Sequence, residues 1–194
     1  AQTRIENEMN LPDGYVIEWG GQFEHLQRSK MRFMIVVPIA LLLIFLMLYF
    51  SLKNFVDVFV IYTGIPFAFI GGVFALWGRG MPFSVSAAIG FIALSGIAVL
   101  NGQILASSIR IFRKEGLILG EAVKVAANQR LLPVMATAIT DAVGFIPMAI
   151  STGVGAEVQR PLATVVIGGV TTATLLTLFV LPALYLTMGK RFGK

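Results

Sequence analysis

Long apolar runs dominate the sequence, and short polar stretches separate them. Five runs are long enough to cross a bilayer, which takes about 20 apolar residues in an α-helix: 33–52, 55–78, 81–109, 131–150 and 162–188. The apolar residues in each run are continuous and do not alternate with polar ones, as they do in membrane β-barrels. The pattern predicts an all-α integral membrane protein with five transmembrane helices.

Composition supports this class and excludes several others. Of the 194 residues, 57% are hydrophobic and 13% are charged, which is more apolar than a soluble domain requires. The absence of cysteine and the single His25 exclude disulfides, thiolate metal sites and histidine clusters within the chain. Walker-type phosphate loops, G-x-S-x-G and H-E-x-x-H motifs are absent as well, which predicts no enzyme, no cofactor and no ATP-driven step within this chain.

Residues 1–30 differ from the rest because they are polar. The turn sequence Leu11–Gly14 precedes a predicted short strand, Tyr15–Trp19, and then a helical approach to the first span. This stretch is too short to bury a core, and Ala1 rather than Met stands first. We interpret residues 1–30 as the end of a soluble domain, 31–194 as the transmembrane domain, and the chain as a piece of a longer protein.

The basic residues follow the topology that five crossings impose, with the two termini on opposite sides. Nine basic residues fall on the side of the C-terminus and six on the other, which favours a cytoplasmic C-terminus. Topology therefore explains the net charge of +5 better than nucleic-acid binding does. Between the third and fourth spans, Ala122, Val123 and Ala126 share one face, which predicts a short helix lying at the cytoplasmic interface.

One carboxylate, Asp141, interrupts the fourth span, and such a charge costs roughly 2.5–3.5 kcal/mol at a helix centre. Residues advance by about 100° each on a helix, so Arg130, Thr137 and Asp141 form one polar stripe. Lipid cannot satisfy this stripe, so it must face protein or water. It indicates either part of a proton or ion path or a polar contact between helices, with Arg130 anchored at the headgroups. We expect Asp141 to face the helix bundle.

Other polar and small residues within the spans favour helix packing. Asn101 and Gln103 lie deep in the third span, where amides join helices through hydrogen bonds. Asn101 shares a face with Ser108, whereas Gln103 points elsewhere. Small residues in the second and fifth spans predict close helix contacts: Gly64, Gly71, Gly72, Gly168 and Thr172.

Three stretches together resemble a known family: WGGQFEHLQRS before the first span, GFIALSGIAVLNG in the third, and STGVGAEVQRPLATVVIGG leading into the fifth. They resemble the heavy-metal efflux branch of the RND (resistance–nodulation–division) transporters, of the cobalt–zinc–cadmium resistance type. The resemblance covers essentially the whole chain. It implies that residues 1–30 end a periplasmic α/β porter domain and that the five spans match helices eight to twelve.

The resemblance also implies an activity and partners. Family members are homotrimers of the bacterial inner membrane that use the proton motive force to export divalent cations of the zinc, cobalt and cadmium class. They join a periplasmic adaptor and an outer-membrane channel. The N-terminal segment would be periplasmic and the C-terminus cytoplasmic. Metal-binding residues are expected in parts of the transporter outside this chain.

By the same resemblance, Arg130 and Thr137 match a relay arginine and threonine, and Asn101 matches an asparagine of the tenth helix. Leu100 replaces a lysine of the drug-exporting branch, which argues against the alternative of a multidrug exporter. Asp141 departs from the family pattern, so its relay role is a hypothesis from its position alone. A further alternative is a membrane anchor or assembly module without transport.

Overall fold

The computed structural model describes the backbone of residues 22–192 and the side chains of residues 33–187. All regular structure in these residues is helical, with a one-turn π segment between the last two helices. The elements are α1 Gln22–Leu52, α2 Phe55–Tyr62, α3 Gly64–Gly78, α4 Val85–Lys114, α5 Leu119–Ile150, α6 Ala156–Leu175, the π segment Leu176–Val180 and α7 Leu181–Phe192. The predicted strand Tyr15–Trp19 lies outside the described residues.

Five stretches are long and apolar enough to cross a membrane, which confirms the predicted fold class. They are Phe33–Leu52, Phe55–Gly78, Val85–Lys114, Leu119–Ile150 and Ala156–Thr187. α1 runs unbroken from Gln22 through the proposed domain boundary at residue 30. The helical approach to the first span is therefore present, whereas the assignment of residues 1–30 to a separate domain stays a prediction.

The third span begins later and ends later than its apolar run predicts. The Ser84 hydroxyl accepts a hydrogen bond from the Ala87 N–H at 3.2 Å and caps the helix there. At the other end α4 continues beyond Ile109 through the basic residues Arg113 and Lys114. Cations in a last turn interact favourably with the helix dipole, so the helix does not stop where the apolar run stops.

The second span is divided at Thr63 into α2 and α3. Pro66 has no N–H to donate to the Tyr62 carbonyl, so the helical ladder is interrupted at this point. Two side-chain hydrogen bonds are formed at this break. The Thr63 hydroxyl donates to the Val60 carbonyl at 2.6 Å, and the Tyr62 hydroxyl donates to the Leu41 carbonyl of α1 at 3.1 Å. The Tyr62 hydrogen bond therefore connects this interruption of the second span to α1.

The predicted short helix at the cytoplasmic interface is wrong. Residues 119–150 form one continuous helix, α5, and its first turns belong to the bundle. Ala122, Val123 and Ala126 do share a buried face, but this face packs in the core with Leu105 and Leu181. Small apolar side chains allow helices to approach closely, and the pattern resembles that of an interfacial helix because only one side is apolar.

The last span contains a π turn at Leu176–Val180, where the Leu181 N–H bonds to the Leu176 carbonyl five residues earlier. Pro182 follows directly. A proline ring collides with the carbonyl four residues before it in a regular α-helix, and the wider π turn removes this collision. The chain therefore continues into α7.

α6 is the central helix and packs against α3, α4 and α5. Glycines make the α3–α6 contact close, as the sequence predicts. A Cβ added to Gly71 would lie 2.5 Å from the Gly168 carbonyl oxygen, and one added to Gly168 would lie 2.7 Å from the Gly71 carbonyl oxygen. Both positions therefore require glycine.

Candidate functional site

Arg110 and Arg130 lie at the same end of the bundle, which we call the basic end. Arg130 lies in α5 and is half-buried. Its Nε donates a hydrogen bond of 2.6 Å to the Ser108 hydroxyl of α4. Ser108 is itself 1% exposed and donates its own proton to the Ile104 carbonyl at 3.0 Å. The serine oxygen is thus held as an acceptor for the arginine.

Thr137 and Asp141 continue the stripe along α5, at its edge toward the rest of the bundle. Asp141 follows the buried Val134 by seven residues and is therefore offset from it by only about 20°. Asp141 is half-buried, whereas Thr137 is exposed and donates to the Val134 carbonyl of its own helix at 2.9 Å. Among the side chains described, none forms a hydrogen bond with the Asp141 carboxylate.

The two amides of α4 have different environments. Gln103 donates to the Ser51 hydroxyl of α1 at 2.7 Å, which confirms the interpretation of a polar contact between helices. Asn101 is 4% exposed, and its Nδ2 has no hydrogen-bond partner among the described residues. Buried donors normally find an acceptor, so the Asn101 amide is an exception that needs an explanation.

The Arg130–Ser108 hydrogen bond joins the polar face of α4 to the stripe of α5. The two helices run in opposite directions on either side of the short link 115–118. Seven residues back from Ser108 to Asn101, and seven forward from Arg130 to Thr137, both correspond to about 10.5 Å along the axes. Asn101 and Thr137 therefore lie at a similar depth along the two helices. Of the four predicted site residues, only Arg130 makes a side-chain hydrogen bond to the neighbouring helix within the part of the chain that the structure describes.

A buried ion pair at the basic end was missed by the sequence reasoning. Asp57 is 8% exposed and accepts a hydrogen bond of 2.8 Å from Arg110 Nε, and Arg110 Nη2 pairs with the same carboxylate oxygen. Asn54 Nδ2 donates to this oxygen at 3.3 Å, and Arg110 Nη1 reaches the Leu52 carbonyl. The topology could have predicted this pair, because five crossings place Asp57 and Arg110 at the same end of the bundle.

The opposite end of the bundle is held by Arg79, in the turn after α3. Its Nη1 donates to the Thr164 hydroxyl of α6 at 2.8 Å, and its Nη2 donates to the Ala149 carbonyl of α5 at 2.8 Å. Arg79 therefore binds three elements together.

Metal-ligating side chains do not gather within the part of the chain that the structure describes. No group of three or more His, Cys, Asp or Glu residues there is arranged to hold a metal ion. The polar residues of the bundle are instead amides, hydroxyls, arginines and single carboxylates. This set is suited to hydrogen bonding and to the exchange of protons and charge.

A model of the AcrB/AcrD/AcrF family matches residues 1–189. The chain belongs to this family. Within it, the chain is 55% identical over 185 residues to the cobalt-zinc-cadmium resistance protein CzcA of Cupriavidus metallidurans, and 54% identical over 184 residues to the nickel and cobalt resistance protein CnrA of the same species. Each alignment covers 95% of this chain. The resemblance to heavy-metal efflux RND proteins is confirmed.

Solved structures of the family agree with the fold. The crystal structure of a heavy metal efflux pump matches with a TM-score of 0.82 and 44% identity, over 98% of this chain. The chain spans 17% of the length of CzcA and CnrA and 19% of that pump. The AcrB/AcrD/AcrF family and the five apolar helices together identify a multi-pass inner-membrane transporter segment.

Proposed function

We propose that this chain is part of the membrane domain of a proton-driven exporter of divalent heavy-metal cations. The observation that carries the proposal is its identity of more than half with CzcA and CnrA over 95% of its length. Zinc, cobalt, nickel and cadmium are the metals named in such relatives, so this class of cation is the proposed substrate. Because the chain is about a sixth of those proteins, transport itself requires the rest of the transporter.

We infer a role for the polar stripe in proton movement. Arg130, Thr137 and Asp141 extend from the basic end toward mid-depth along α5, and Asn101 lies at a similar depth to Thr137 on α4. The partner of these groups would be a carboxylate outside this chain, which pairs with them when ionised and releases them when protonated. Each state would favour a different packing of the helices, and this is how proton binding would be coupled to export.

The orientation and assembly are part of the same proposal. The charge bias supports a cytoplasmic location for the basic end and the C-terminus, and the link after α5 would then be periplasmic. The protein would form a homotrimer, joined to a periplasmic adaptor and an outer-membrane channel. A membrane anchor without transport is the competing function, and it requires nothing of the stripe beyond folding.

The test is the double variant Thr137→Ala/Asp141→Ala in the full-length transporter. We expect loss of zinc and cobalt resistance and of metal-driven proton flux, at normal protein levels in the membrane. Thr140→Ala is the matched control, because Thr140 is an exposed threonine of the same helix that bonds only to its own-helix carbonyl of Ala136, at 2.9 Å. This control should retain wild-type resistance.

Full resistance and proton flux in the double variant would contradict the relay and favour the anchor. Resistance to dyes or antibiotics, but not to metals, in cells expressing the wild-type transporter would instead favour a multidrug exporter.

A further inference from the structure

The hydrogen bond between Arg130 and Ser108 uses one particular nitrogen of the guanidinium, and the proposed relay does not explain why. Arg130 has five N–H donors, spread over Nε and the two Nη atoms. Only Nε is bonded within the described residues, and its acceptor is the Ser108 hydroxyl at 2.6 Å. Because Nε is bonded to Ser108, the edge of the guanidinium that carries the two Nη atoms is the edge left to bind a carboxylate with two hydrogen bonds.

Ser108 is built as a fixed acceptor rather than a rotating hydroxyl. It is 1% exposed, so water does not compete for its oxygen. Its proton is donated to the Ile104 carbonyl one turn earlier, at 3.0 Å, which is the usual conformation of a serine within a helix. Because the hydroxyl proton is directed to Ile104, the serine oxygen acts toward Arg130 as an acceptor, and it accepts the hydrogen bond from Nε.

We propose that Ser108 is a positioning residue that holds Arg130 by its Nε atom, so that the two Nη atoms are presented to an acidic group. This inference rests on the proposed function, in which Arg130 takes part in a proton relay. Arginine is long and flexible, and a single fixed hydrogen bond removes much of its rotational freedom. Without Ser108 the guanidinium would keep its charge but lose its fixed orientation.

The experiment uses the full-length transporter reconstituted in lipid vesicles, with zinc as substrate and proton flux as a second readout. Ser108→Ala removes the acceptor and leaves a good helix former, so the variant should fold. We expect its maximal transport rate to fall about tenfold, in line with the loss of one hydrogen bond to a charged group. The zinc concentration at half-maximal rate should not change, because Arg130 would act on turnover and not on metal binding.

Two variants make the result specific. Ser107→Ala is the matched control, because Ser107 is the adjacent residue and is exposed; it should transport at the wild-type rate. Ser108→Thr keeps a hydroxyl that can make the same bonds within a helix, and it should restore at least half of the wild-type rate. Membrane levels and thermal unfolding in detergent are measured for all three.

A wild-type rate in Ser108→Ala would overturn the inference, as would an equal loss in Ser107→Ala. The same holds for a stable Ser108→Thr variant that is as slow as Ser108→Ala, because the hydroxyl would then not be the cause. Arg130→Ala separates this failure from failure of the proposed function. If Arg130→Ala is inactive while Ser108→Ala is normal, only the positioning role is lost; if Arg130→Ala transports normally, the relay itself is lost.

Discussion

The Asp57 carboxylate lies at the start of α2 and is 8% exposed, so neighbouring side chains must satisfy its charge. Arg110 does so from α4 and reaches the Leu52 carbonyl as well. A buried charge that loses its partner costs more than the pair itself contributes, because the desolvation remains. Removing one partner should therefore lower the stability by more than the net contribution of the intact pair.

We predict that Arg110→Ala lowers the free energy of unfolding of the full-length transporter by about 1–3 kcal/mol, the cost of an unsatisfied buried polar group. The Arg110 side chain is 31% exposed, so water offsets part of the loss. Thermal unfolding in detergent measures it. Arg113→Ala is the control, because Arg113 is an exposed arginine of the same helix, in its last turn, and should leave the midpoint unchanged. Equal midpoints for the two variants would show that the ion pair does not stabilise the fold.

The close packing of α3 against α6 depends on glycines, which have no side chain. α3 and α6 approach so closely at Gly71 and Gly168 that each backbone carbonyl occupies the space of the other's missing Cβ. The hydrophobic effect is weak between helices in lipid, so close packing stabilises such a helix pair mainly through dispersion. The gain is distributed along the helix pair and is sensitive to a single added methyl group.

We predict that Gly71→Ala destabilises the protein by about 1–3 kcal/mol, the usual cost of overpacking a well-packed core. The added methyl group would meet the Gly168 carbonyl oxygen at 2.5 Å, and backbone cannot move aside as a side chain can. Gly96→Ala is the control, because a Cβ at Gly96 meets nothing within 4 Å in this chain. Urea unfolding of the two variants in detergent should differ by this amount; if Gly71→Ala matches Gly96→Ala, the close contact is not maintained in the native protein.

At the scale of the molecule, orientation in the membrane is the property that the charge bias predicts. Val154 is fully exposed in the link between α5 and α6, and Glu115 is exposed in the link between α4 and α5. These links lie at opposite ends of the bundle. The chain has no cysteine, so single cysteines can be introduced into this segment without removing any from it.

We predict that Val154→Cys in the full-length protein reacts with a membrane-impermeant maleimide in intact spheroplasts, whereas Glu115→Cys reacts only after the membrane is opened. Other cysteines of the full-length protein are first replaced. Labelling of Glu115→Cys alone in intact spheroplasts would mean that the orientation is inverted.

Much of the fold is predictable because apolar length determines helices that span a bilayer, and the positions of the five spans illustrate this. Contacts between distant segments are not predictable in the same way. Asp57 and Arg110 are 53 residues apart, and Arg130 and Ser108 are 22 apart, so periodicity within one helix cannot pair them. The prediction of a short interfacial helix at Ala122, Val123 and Ala126 was wrong for a related reason, since one apolar face looks the same whether protein or lipid covers it.

The glycine contact between α3 and α6 has a mechanical consequence. Two helices without clearance between their backbones cannot slide past each other, so we expect α3 and α6 to move as one stiff body during the transport cycle. α5 differs, because most of its length between Leu131 and Met148 is exposed in this chain, with Val134 as its only fully buried residue there. The polar stripe thus lies outside the stiff α3–α6 pair, on a helix whose exposed face is open to the parts of the transporter that this chain does not include.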